Sequence, residues 1–185
     1  MLAVWLLQHA FHTISSRSSR PVGLTAYMKG TLIMLVMAAI EELLFRQLLL
    51  VGLGRIGFPF IWAALISALL FGLIHITNGD RNVLGISNTA LVGFVLAFEF
   101  TMPNGLFRVI GMHFGWNFIQ WNVLGYPLYS MDAAKIFPAP WNTQPLTSRS
   151  RWLNGGGFGA EGSAFTTLFW LSWFLWQWSA GNYPL

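Results

Sequence analysis

Two adjacent carboxylates and a guanidinium, Glu41, Glu42 and Arg46, lie inside an apolar run that extends from about Leu32 to Leu53. A run of that length, roughly 20 residues, is what a helix needs to cross a hydrocarbon core. Glu41 follows Lys29 by twelve residues, which at ~1.5 Å per residue is about 18 Å along a helix axis and puts the carboxylates near the bilayer midplane. Ionisable groups at that depth cost several kcal/mol and are functional candidates by default. Glu42 and Arg46 are spaced i, i+4, so they share a face and can form a charge-assisted pair. Glu41 points about 100° away from Glu42. One acid is then held while the other faces a cavity, which is how a site separates a structural carboxylate from a reactive one.

Imidazoles occur in two later apolar runs. In Phe71-Gly72-Leu73-Ile74-His75 the i, i+4 spacing sets an aromatic ring beside His75, and Gly72 admits a neighbouring backbone. In His113-Phe114-Gly115-Trp116-Asn117 the imidazole and the amide share a face. The polar inventory Glu41, Glu42, Arg46, His75, His113 and Asn117 has no good reason to face lipid, and it is expected to converge on one cavity. His75 and His113 would then lie within roughly 10 Å of each other. A carboxylate and imidazoles bind or deprotonate a water, while a second imidazole and an amide donate hydrogen bonds to a developing oxyanion. That is equipment for hydrolysing an amide without a covalent nucleophile. His, His and Glu are also zinc ligands, but the histidines are 38 residues apart and no HExxH-like local pair exists. No cofactor is assigned, and a divalent metal stays the alternative. A buried Glu–Arg pair also serves packing alone, so a non-catalytic membrane partner, such as an immunity or assembly factor, is the competing reading.

The elements that must position these groups follow from composition. The 185 residues are 55% hydrophobic and only 9% charged, against about 25% charged in an ordinary soluble domain. The fold expected is all-α, a polytopic transmembrane helix bundle of about five to six spans with a polar intramembrane cavity. After the glutamate run, apolar stretches cover about Phe60–Ile76, Val83–Phe100, Leu106–Leu124 and Ser163–Ala180, with a turn signal at Asn78-Gly79-Asp80. Residues 1–28 read as a short apolar segment, carrying His9 and His12 near an interface, followed by a solvated polar linker, Thr13–Pro21. Residues 29–185 read as the core, with Tyr126–Gly162 a long Pro- and Gly-rich loop. Glu99 and Arg108 flank the Pro103-Asn104-Gly105 turn and are expected to pair, and the Phe and Trp residues of the last span are expected to contact lipid.

The net charge of +4 sits mostly in connecting segments. Arg17, Arg20, Lys29, Arg81, Lys135, Arg149 and Arg151 fall on one side, with Arg55 and Arg108 on the other, which sets a topology with the first group inside. No basic patch interleaved with aromatics is present, so no nucleic-acid partner is expected. The absence of cysteine excludes disulfides, thiolate metal sites and a Cys nucleophile.

Taken in order, Glu41-Glu42-x-x-x-Arg46, Phe71-x-x-x-His75 and His113-x-x-x-Asn117 closely resemble the three motifs of the CAAX prenyl protease and bacteriocin-processing (CPBP, or Abi) intramembrane protease family. The tract from Gly155 to Ser163 also resembles that family's Gly-rich C-terminal stretch. The resemblance implies an α-helical, multi-pass membrane endopeptidase of a prokaryotic cytoplasmic membrane. It implies partners in membrane lipid and in a peptide or protein substrate, which in some members is lipidated. It further implies that Glu41 and His75 activate a water, that His113 and Asn117 stabilise the oxyanion, and that Glu42 with Arg46 is the supporting ion pair. The family core has about eight spans where five are counted here; the helices not counted would lie before Met1, which leaves a trimmed and a naturally short member as alternatives.

Overall fold

The apolar runs become helices because their side chains leave the backbone no polar partner but itself. The computed structural model describes residues 1–19, 22–77, 82–128 and 137–183. In chain order they form α1 (Leu2–Ala10), β1 (Ile14–Ser18) and α2 (Leu24–Glu42), which continues through a π-helical segment, Leu43–Leu50, into α3 (Val51–Arg55). Then come α4 (Phe60–Ile74), a 3-10 turn at His75–Thr77, α5 (Val83–Glu99) and α6 (Gly105–Asn117), which a second π-helical segment prolongs over Phe118–Val123. β2 (Trp141–Pro145), α7 (Arg151–Asn154), the 3-10 turns Gly156–Phe158 and Ala160–Gly162, and α8 (Ala164–Ser179) complete the chain.

The bundle is predominantly helical, as composition requires, and α4, α5 and α8 lie within two residues of their expected bounds. Two elements differ. Ile14–Ser18, expected as part of a solvated loop, is a strand paired antiparallel with β2, from Ile14 opposite Pro145 to Ser18 opposite Trp141. Pairing satisfies backbone groups that a loop would leave to water. The glutamate helix starts at Leu24, eight residues before the apolar run; residues 24–26 are exposed, and contact with the bundle begins at Tyr27, whose ring meets Phe118. Asn122 donates to the hydroxyl of Thr31 at 3.0 Å. Among the described residues no single helix is long and apolar enough to cross a membrane. The helical rod from Leu24 to Arg55 is nonetheless unbroken, and it is divided only by its π-helical stretch. Arg20, the turn Asn78-Gly79-Asp80, Arg81 and Lys135 lie outside the described residues.

Close packing of α4 on α5 fixes the second motif. A Cβ on Gly72 would meet Ala90 Cβ at 2.8 Å, and one on Gly93 would meet Ala68 Cα at 3.2 Å, so small residues on both helices let the backbones touch. The core runs through Met34, Val95, Trp116, Trp121, Tyr126, Phe165 and Trp170. Segment α1 joins this core through Gln8, which is fully buried, donates to the Leu153 carbonyl at 3.0 Å and accepts from the Tyr126 hydroxyl at 2.6 Å.

Candidate active site

Glu41 and Glu42 are the last two residues of α2, at the point where the hydrogen-bond ladder widens to the π pattern, and Arg46 lies inside the π segment. Asn117 holds the same position on α6, immediately before the second π segment. Such segments re-aim side chains and recur at functional sites. The carbonyl of Phe45 in the first π segment is met by the hydroxyl of Ser67 on α4 at 2.8 Å, a bond that fixes the distorted turn against its neighbour.

Glu42 and Arg46 are both fully buried, with Arg46 Nε 3.0 Å from Glu42 Oε2. The N–H does not point along that contact, so it is held by charge rather than by a linear hydrogen bond. Arg46 also donates through Nη2 to the Gly93 carbonyl at 3.2 Å and lies 4.8 Å from the centroid of the Phe71 ring. The other oxygen of Glu42 is 2.8 Å from Nδ1 of His113. Glu42 therefore ties Arg46 to His113, a link that the i, i+4 spacing alone did not disclose. Glu41, on the neighbouring face, has Oε2 3.8 Å from His113 Nε2 and keeps 23% of its side chain exposed.

His75 begins the 3-10 turn that ends α4, and its Nδ1 lies 2.7 Å from the Phe71 carbonyl. A carbonyl and a carboxylate only accept, so both histidines are fixed with Nδ1 as donor, which sets the orientation of each ring. Both rings meet Phe71, with centroids 5.1 Å away for His75 and 5.9 Å for His113. One cavity of about 290 Å³ is lined by Glu41, His75, His113 and Asn117 together with Phe71. Its wall also includes residues that motif spacing did not mark, among them Asn88 and Thr89 of α5, Leu128, Glu161, and Thr166 and Trp170 of α8. Trp170 corrects the expectation of lipid contact for the last span, being 4% exposed at the cavity, whereas Trp176 on the same helix is 57% exposed. His9 stays apart from the site, 2.9 Å from the Ser16 hydroxyl.

The far wall is rigid for local reasons. Gly155 has φ +81° and no room for a Cβ against the Gly159 carbonyl. Asn82 donates to the carbonyls of Gly155 and Gly162, Asn88 donates to those of Glu161 and Ser163, and the Phe158 ring covers Gly85 so closely that a Cβ there would stand 2.5 Å from it. The Ser163 side chain then caps α8.

The model of the type II CAAX prenyl endopeptidase Rce1-like family matches residues 23–119, more than half of the chain. The chain belongs to that family. No curated protein and no solved structure matches it. The Rce1-like family is one of membrane proteases, which places this member among hydrolases with a peptide or protein substrate. The matched stretch contains all six motif residues, from Glu41 to Asn117, whereas the Gly-rich wall and α8 of this Rce1-like chain lie beyond it.

Proposed function

We propose that the chain is an intramembrane endopeptidase in which Glu41, beside His75, activates a water and His113 with Asn117 receives the oxyanion. The reading rests on one observation: these four side chains line a single cavity in a member of a protease family. Glu41 takes a proton from the water as its oxygen adds to the scissile carbonyl carbon. The charge that moves to the carbonyl oxygen meets donors on Nε2 of His113 and the amide of Asn117. The proton then passes from Glu41 to the departing amine nitrogen as the C–N bond breaks, restoring the carboxylate. Glu42 supports this by holding His113 through Nδ1, and Nε2 donates when the ring carries both protons.

Placement in a bilayer is part of the proposal. Leu32, Val36, Ile40, Leu44 and Leu48 recur every fourth residue along the rod and are all exposed, as are Leu168 and Leu175 on α8. An apolar stripe of that extent on several helices suits lipid, not water. The rod, at ~1.5 Å per residue, is long enough to cross ~30 Å of hydrocarbon at a tilt. The chemistry proposed uses no metal, because His113 already bonds Glu42, which also carries the positive charge of Arg46. In a purified, lipid-reconstituted preparation, cleavage of quenched fluorescent peptides should survive chelation and dialysis. Stoichiometric zinc whose removal abolishes turnover and whose return restores it would overturn the metal-free mechanism. Absence of cleavage across a broad peptide set would favour a non-catalytic membrane partner.

A further inference from the structure

An indole N–H can only donate, and burying it without an acceptor costs its desolvation. Two indoles of this chain find acceptors within the fold: Trp173 donates to Glu99 at 2.7 Å and Trp5 to the Ser16 hydroxyl at 3.1 Å. Trp170 does not. It is 4% exposed, and its Nε1 has no hydrogen-bond partner among the described residues. A phenylalanine ring would supply apolar contact there without that cost, so the orphaned donor calls for an acceptor that arrives from outside the fold. Trp170 also lies beyond residues 23–119, so the family motifs assign it nothing.

Trp170 lines the same cavity as His113, Trp116 and Asn117 of α6. Its ring packs on that of Trp116, the residue before Asn117, with centroids 5.2 Å apart. The indole is thus set against the helix that carries both proposed oxyanion donors. Its own helix is pinned on either side of it. Ser163 caps α8 and Thr167 donates to Asn88 at 2.7 Å, while Trp173 and Gln177 donate to Glu99. One turn before Trp170, the Thr166 hydroxyl is spent on the Ala160 carbonyl at 2.7 Å. A donor on so fixed a support sets the place of a ligand group rather than following it. The indole is neutral, so the group it fits is a neutral oxygen acceptor, and a peptide main chain brings a carbonyl at every residue. His113 and Asn117 are already assigned to the scissile oxygen, which leaves Trp170 for a neighbouring one.

We propose that Trp170 is a substrate-positioning residue whose indole N–H donates to a main-chain carbonyl of the bound peptide, next to the scissile one. The proposal rests on the endopeptidase reading for the identity of its ligand, but binding is measured without turnover. Fluorescent peptides from a library of apolar sequences, and versions with one amide at a time replaced by an ester, are titrated against the reconstituted full chain bearing Glu41→Gln. Trp170 is left intact, changed by Trp170→Phe, or replaced by its sulfur isostere benzothienylalanine. The isostere keeps the shape and loses the N–H, so a fold damaged by Trp170→Phe leaves the test standing. Loss of the N–H should weaken binding of the all-amide peptide about 3- to 10-fold, the range of one neutral hydrogen bond. In the intact chain the Trp170 indole proton should move downfield in the NMR spectrum as peptide is added. An ester carbonyl is the weaker acceptor, so at one position the ester should shrink the penalty to within about twofold, while esters elsewhere leave it unchanged. With Glu41 restored, the isostere should raise KM by a like factor and leave kcat within about twofold. Unchanged binding by the isostere overturns the proposal. A penalty that no ester relieves marks a packing role and overturns it too, as does a fall in kcat at unchanged KM. An ester-sensitive bond in a chain that cleaves no peptide would uphold the role of Trp170 and sink the protease reading, whereas binding of no peptide at all would overturn both.

Discussion

Glu42 and Glu99 are both fully buried carboxylates facing an arginine, and the molecule treats them differently. Glu99 is saturated. Arg108 Nε lies 2.5 Å from one oxygen, and the other accepts from Trp173 at 2.7 Å, Tyr183 at 2.9 Å and Gln177 at 3.3 Å. Burial, followed by the bond to Glu99, pushes the Tyr183 hydroxyl up from its ordinary pKa. All four donors come from the turn side of α6 or from α8 and the segment after it, so Glu99 serves as a fastener. Glu42 has one off-axis ion pair and one imidazole, and beside it Glu41 Oε2 has no hydrogen-bond partner among the described residues. An acid whose oxygens are all filled holds structure, whereas one left short of donors, next to a histidine and a cavity, is what the proposed general base requires.

Breaking each cluster should separate the roles. The largest stability loss is expected for Glu42→Ala, which leaves Arg46 as an unpaired buried charge and should destabilise by about 3–5 kcal/mol, with cleavage lost, as read by a thermal melt in detergent beside a peptide assay. Asn117→Ala should lower kcat about 10²- to 10³-fold, as for loss of one oxyanion donor, with little change in the melt. Glu99→Ala should cost about 2–3 kcal/mol by stranding three donors, less than Glu42→Ala because Arg108 is one-third exposed and can turn to solvent. Its cleavage per folded molecule should stay within severalfold of wild type. If Glu99→Ala silences the folded protein, or Glu42→Ala melts like wild type, the contrast fails. The smallest effect, about 1 kcal/mol, is expected for Ser67→Ala, which removes the partner of the Phe45 carbonyl.

Much of the site was legible in the sequence because polar residues inside apolar runs have few explanations. The Glu42–Arg46 pair, the close approach at Gly72 and the Glu99–Arg108 pair all follow from spacing and side-chain size. The π segments were not legible, since widening a helical turn leaves hydrophobic periodicity almost unchanged over one or two turns. Nor was the strand at Ile14–Ser18, whose five residues include three serines and whose partner lies more than a hundred positions away. Glu161 sits in a run of glycines without periodicity of any kind. Long-range bonds from Asn82 and Asn88 bring its segment to the cavity.

The division of labour between the adjacent glutamates is the central claim, and Glu41→Gln tests it most directly when stability and turnover are measured on the same reconstituted sample. Cleavage should fall about 10²- to 10⁴-fold, the contribution of a general base, while the melting temperature stays within about 2 °C of wild type, since an amide of the same shape replaces a partly exposed acid that forms no ion pair with an arginine. Wild-type cleavage by Glu41→Gln, or a melting temperature as low as that of Glu42→Ala, would contradict it.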